Sequence, residues 1–95
     1  GTVHPDRYIV VTAHFDHVGV RQPVAGDSIY NGADDNASGT AALLALAEWY
    51  ARHPARHSLL FVALDAEEQG LRGARAFVAA PPVPREAMRL NVNMD

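Results

Sequence analysis

Tyr8–Ala13 reads YIVVTA, an unbroken apolar run rich in β-branched residues, with Arg7 before it and His14 after it. A run of this length without polar alternation fits a strand covered on both faces, as in a parallel sheet. Leu59–Leu64, LLFVAL, is a second such run. Arg89–Met94, RLNVNM, is a third strand, with Leu90, Val92 and Met94 alternating against Asn91 and Asn93. Between the first two strands, Asn36 or Ser38 can cap a helix that continues to about Arg52 and is stopped by Pro54. Leu43, Leu46, Ala47 and Tyr50 follow helical spacing, and Ala41, Ala42, Leu44 and Ala45 widen the stripe, so this helix is expected to be largely buried. Trp49, Tyr50 and Phe77 read as core. Gly70–Ala80 predicts a second helix with Leu71, Ala74 and Val78 on one face, ended by Pro81, Pro82 and Pro84. His14–Ala33 has no period and contains Gly19, Pro23, Gly26 and Gly32, which predicts a long, functional loop. The order β-α-β-α-β defines an α/β fold, a three-layer sandwich around a mainly parallel sheet. A three-stranded parallel sheet has two open edges, through which a second copy could pair.

Composition narrows the classes. Apolar residues make up 48% of the 95 and charged residues 20%, a globular balance that excludes a disordered or fibrous chain. No apolar run approaches the roughly 20 residues of a membrane span. There is no cysteine, hence no disulfide framework and no thiolate metal site. The net charge of −3 argues against nucleic acid as a partner. The eight basic residues are all arginine, a bias without functional content.

The position of the acids says more than their number. In parallel sheets ligands gather beyond the carboxyl ends of the strands. His14 and Asp16 follow the first strand, Asp65, Glu67 and Glu68 the second, and Asp95 ends the third. Asp34 and Asp35 lie at the helix start on the same edge. Gathered acids raise one another's pKa values and cost stability, and a bound cation relieves both.

Each motif has two readings on its own. His14-Phe15-Asp16 is either a zinc-binding imidazole oriented by a carboxylate or a loop histidine bonded to a nearby acid. Gly32–Gly39, GADDNASG, is either a carboxylate positioned to bridge metals or an acidic helix N-terminus. In Asp65–Gly70, DAEEQG, the paired glutamates either split metal binding from proton transfer or form a solvated acidic loop. Asp95 is either a ligand or a strand terminator.

Taken together, HFDHVG, GADDNASG, DAEEQGLRGARAF and NVNMD, in unbroken order from His14 to Asp95, resemble the co-catalytic di-zinc aminopeptidases of metallopeptidase family twenty-eight. The resemblance implies a metal-dependent aminopeptidase that removes N-terminal residues from peptide substrates through a zinc-activated water. It implies His14 as a ligand of one zinc with Asp16 orienting its ring, and Asp35 as the bridge between two zincs. It further implies Glu67 as general base, Glu68 as ligand of the second zinc, and Asp95 as ligand of the first. In this family the peptide bond after the bridging aspartate is often cis, which implies a cis Asp35–Asn36 bond. Residues 1–95 then form part of a catalytic domain, ahead of the family's last ligand, a histidine well downstream of the position of Asp95. Two zinc ions are expected per complete domain and one in this stretch, which by itself is expected to lack a complete second metal site and, with it, activity.

His4, His53 and His57 read as surface histidines, none placed to replace the missing ligand. His17 reads as lying near the site without binding metal. Asp34 and Asp65 either tune the site or are plain solvated acids. Glutaminyl cyclases, which share the fold with a single zinc, and peptidase-like binding modules that have lost their ligands are the alternatives. A carboxypeptidase-like relative from family twenty is a third, disfavoured by GADDNASG. Relatives are often secreted or periplasmic, with which the lack of cysteine is compatible.

Overall fold

The computed structural model describes residues 1–95. Three parallel strands form the main sheet: β1 (His4–His14), β4 (His57–Leu64) and β5 (Met88–Met94), in the order β4-β1-β5. Between β1 and the first helix, a second, two-stranded sheet pairs β2 (Gly19–Val24) with β3 (Asp27–Tyr30), antiparallel. The helices are α1 (Gly39–Arg52) and α2 (Arg72–Ala79). No helix is long and apolar enough to cross a membrane.

YIVVTA becomes the centre of the sheet because it alone has a strand on each side. Val10, Val11, Thr12, Ala13 and His14 are all buried, whereas β4 and β5 are at most partly so. The two faces of β1 serve different helices. Val11 and Ala13 pack with Leu43 of α1, flanked by Phe61 and Met94. Val10, Thr12 and His14 face the other way, into a cavity of about 700 Å³ whose far wall includes Leu71, Ala74 and Phe77. The two helices therefore lie on opposite faces, giving the expected three layers.

Register fixes where the strand ends meet. Val11 lies beside Phe61 and Val92, and His14 beside Leu64, while Ala13 lies beside Met94. His14, the residue after Leu64 and the residue after Met94 thus share one edge. Phe15 N–H donates to the Leu64 carbonyl at 2.9 Å, and Thr40 Oγ1 donates to the His14 carbonyl at 2.9 Å, tying β1 to β4 and α1 at that edge.

Three expectations need correction. The predicted loop His14–Ala33 contains the β2–β3 hairpin. Its turn places Ala25 and Gly26 at positive φ (52° and 87°) between Val24 and Asp27, the two-residue geometry that suits the twist of antiparallel strands. Pro23 is tolerated because each strand of a two-stranded sheet has a free edge. Next, α1 is not largely buried. Leu43 and Gly39 are its only buried residues, because the sheet beneath it is three strands wide. Trp49 is 58% exposed and stacks on the His53 ring at 3.9 Å, and Tyr50 is 37% exposed, so neither is core. Phe77 is half-buried against the cavity. Finally, His4 opens β1 instead of preceding it and pairs with His57, the rings 4.7 Å apart at the edge away from the acids.

The entry to α1 is a wound turn, Ala33–Ser38, interrupted by non-helical Asp35 and Asn36, and the Asp35–Asn36 bond is cis as expected. Of the two candidate caps, Asn36 makes the bond: its Oδ1 accepts from Gly39 N–H at 2.9 Å. Ser38 Oγ turns back to the Asp34 carbonyl at 2.7 Å. Asn36, 2% exposed, also donates from Nδ2 to the Met94 carbonyl at 2.9 Å, joining the turn to the end of β5. Gly39 makes this approach possible, since a Cβ there would meet the Asn36 side chain and lie 2.8 Å from the Met94 carbonyl oxygen. Gly39→Ala is therefore expected to cost about 1–3 kcal/mol, the usual cost of overpacking. Urea unfolding checks this, and an unchanged midpoint would contradict it.

Candidate metal centre

His14, the last residue of β1, is 4% exposed, and its ring is held from both sides. Nδ1 lies 3.1 Å from the Asp16 carbonyl oxygen. Nε2 faces two carboxylates, Asp95 Oδ1 at 3.0 Å and Asp35 Oδ1 at 3.2 Å. With the Nδ1 proton given to the Asp16 carbonyl, the Nε2 lone pair points at negative oxygens, an arrangement that calls for a proton or a cation between them. Burial alone would push the His14 pKa down, but the Asp95 hydrogen bond, the Asp16 carbonyl and the nearby Glu67 charge outweigh it and hold it above the usual histidine value.

Asp35 presents its second oxygen elsewhere. Oδ2 lies 4.0 Å from His17 Nδ1, and that same nitrogen lies 2.9 Å from Glu68 Oε1. Two donor groups result, His14–Asp35–Asp95 and His17–Asp35–Glu68, the ligand atoms of each within 4.8 Å of one another. Asp35 belongs to both, one oxygen for each.

Asp16 acts differently from the expectation. Its carboxylate oxygen lies 3.6 Å from His14 Nδ1, too far for a hydrogen bond, and the main-chain carbonyl holds the ring instead. The carboxylate is already engaged, accepting from Glu67 N–H at 2.9 Å and Glu68 N–H at 3.2 Å. Asp16 therefore fixes the loop that carries both glutamates. Burial opposes its ionisation, but the two N–H donors and the nearby His14 outweigh that and hold its carboxyl below the usual carboxylate range. A depressed pKa contributes stability that is complete above the unfolded value and lost as pH falls through the folded one. The metal-free protein is thus expected to lose stability on acidification from about pH 4 downward, and Asp16→Asn to flatten that part of the profile. Chemical unfolding across acid pH reads the difference; parallel profiles would contradict it.

The loop after β4 is internally bonded. Asp65 Oδ1 accepts from Ala66 N–H at 2.7 Å, and the carbonyls of Asp65, Ala66 and Glu67 accept from Gly73, Arg72 and Leu71 at the start of α2. Asp65 is thus occupied with its own turn. Asp34 is exposed, and its carbonyl receives Ser38. Glu67 lines the same cavity as His14 and Asp95. All six residues singled out in the sequence thus meet at one edge of the sheet.

His17, expected near the site, stands against both Glu68 and Asp35. The one available signal was its place three residues after His14, just past the strand. Its packing against Gly32 is invisible in the sequence.

A parallel sheet whose carboxyl edge gathers histidine, aspartate and glutamate into two donor groups defines an α/β protein with a candidate metal centre. The chain belongs to peptidase family M28, whose model matches residues 1–95. It is 37% identical over 75 residues to a probable zinc metalloprotease of Pyrenophora tritici-repentis, covering 79% of this chain and 17% of that protein. It is 33% identical over 94 residues to the aminopeptidase YwaD of Bacillus subtilis, 96% of this chain and 18% of that protein. It is 41% identical over 71 residues to a vacuolar membrane protease of Schizosaccharomyces japonicus, 75% of this chain and 7% of that protein. The chain thus spans less than a fifth of the length of these relatives. No solved structure matches it.

Proposed function

We propose that residues 1–95 form the metal-binding part of a zinc-dependent aminopeptidase domain. The observation that carries this reading is the placement of Asp35, with one carboxylate oxygen toward His14 and Asp95 and the other toward Glu68 and His17. A mixed imidazole and carboxylate donor set suits zinc, and the His14 Nε2 lone pair directed at two carboxylates fits a cation better than an empty site. In this reading His14, Asp35 and Asp95 hold the first zinc, and Asp35 and Glu68 contribute to the second. The names of the relatives, zinc metalloprotease and aminopeptidase, support it. The presence of every expected ligand up to Asp95 favours a catalytic protein over a binding module.

The chemistry zinc supplies when bound is Lewis-acid polarisation of a carbonyl and activation of water. The chain's own residues supply the remainder. The Asp16 carbonyl fixes the His14 tautomer and ring orientation. The Asp16 carboxylate anchors the backbone of Glu67 and Glu68, so that the two side chains keep separate tasks. The Glu67 carboxylate takes the proton of the attacking water and returns it to the leaving amine. Asn36 locks the Asp35 turn to the end of β5, holding Asp35 and Asp95 at a fixed separation.

An aminopeptidase needs a free substrate amine. A complete domain that carries this stretch, equilibrated with zinc, is expected to release the N-terminal residue of an unblocked peptide and to leave the N-acetylated copy intact, with activity lost to a chelator and restored by zinc. Equal cleavage of both peptides, or indifference to the chelator, would overturn the reading.

A further inference from the structure

We propose that His17 is a metal ligand, completing with Asp35 and Glu68 a second cation site within these 95 residues. The proposal rests on the zinc-peptidase reading above and adds a donor that it lacks. His17 Nδ1 is buried and makes no hydrogen bond, although Glu68 Oε1 is only 2.9 Å away, because that oxygen lies off the line a hydrogen bond requires. A buried ring nitrogen left without a partner costs free energy unless something else satisfies it. The nitrogen lies beside two carboxylates, Glu68 and the second oxygen of Asp35, and the three ligand atoms lie within 4.8 Å of one another. A cation among them satisfies all three at once, and imidazole binds metal through Nδ1 as readily as through Nε2.

The backbone holds the ring in that place. Gly32 sits at φ +65°, and a Cβ on it would lie 2.9 Å from His17 Cγ and 2.9 Å from the Asp35 carbonyl oxygen. The absence of a side chain at residue 32 therefore lets the imidazole lie against the turn that carries Asp35. Glu68 is held in turn by its N–H to Asp16. Both partners of His17 are thus positioned by groups outside the donor set, as metal ligands usually are.

The test equilibrates the 95-residue chain with buffered zinc, counts bound metal after dialysis, and follows the histidine ring nitrogens by NMR. The expected result is about two zinc ions per chain. The His17 Nδ1 resonance moves to a metal-bound position while Nε2 keeps its proton. His17→Ala keeps one ion, the one that His14→Ala loses. Should only one ion bind, lost in His14→Ala and unaffected by His17→Ala, the second site is overturned and the zinc-peptidase reading stands. Should no zinc bind specifically, both fail. Where His17→Ala does not fold, the unsubstituted chain decides: a His17 Nδ1 that stays protonated against Glu68 in saturating zinc marks a plain ion pair and overturns the proposal.

Discussion

Asp35→Ala is expected to strip the chain of specifically bound zinc, whereas Asp95→Ala and Glu68→Ala each remove one ion and leave the other. The asymmetry follows from geometry. Asp35 Oδ1 faces His14 at 3.2 Å and Asp35 Oδ2 faces His17 at 4.0 Å, so a single carboxylate serves both donor groups. Asp95 faces only His14, and Glu68 only His17. Loss of a residue that merely orients a ligand typically weakens metal binding by about 10–100-fold. Loss of the shared ligand itself is expected to exceed about 100-fold at both positions, by comparison with that range. The side chain of Asp35 is 61% exposed, so its removal leaves the fold largely intact and the effect appears in metal content instead of in unfolding. Metal analysis after dialysis reads it; retention of either ion at full affinity would contradict the shared role.

In the complete domain, Glu67→Gln is expected to lower kcat by about 10²–10⁴-fold, the range for loss of a general base, with zinc content unchanged. Glu67 belongs to neither donor group, yet it lines the cavity with His14 and Asp95 and is close enough for its charge to raise the His14 pKa. Its backbone is pinned through Asp16, so the amide replaces the carboxylate without moving the loop. Gln keeps the shape and loses the proton acceptor. Initial rates on an aminoacyl nitroanilide, measured beside metal content, separate the two effects. Loss of zinc together with loss of rate would make Glu67 a ligand instead, and an unaffected rate would remove it from the mechanism.

How far the sequence led depended on how local each signal was. YIVVTA and LLFVAL are legible as strands by themselves, being continuous apolar runs of strand length, although only the first is buried, and they placed the carboxyl edge where His14, Glu68 and Asp95 meet. The β2–β3 hairpin was not legible. Gly19–Val24 is wholly exposed, so no buried face imposes an apolar alternation, and Pro23 and Gly26 read as breakers. The burial of α1 was overestimated because helical spacing shows which face is apolar but not how wide the sheet opposite it is. Asp16 lies where expected, yet its carboxylate binds the Glu67 and Glu68 amides, a contact across 51 and 52 residues that no local motif records. His17 and Asn36 depend on the same kind of information. Each is held by a close approach, to Gly32 and Gly39 respectively, that exists only once the Asp35 turn has folded against the strand ends.

The most direct test of the central claim is diffraction from zinc-soaked crystals of the chain on both sides of the zinc absorption edge. The account predicts an anomalous peak between His14 Nε2, Asp35 and Asp95, at the roughly 2.0–2.2 Å ligand distances of zinc. It predicts a second peak between Asp35, Glu68 and His17 Nδ1. Anomalous density confined to His4, His53 and His57, or absent from the edge that holds His14, would contradict it.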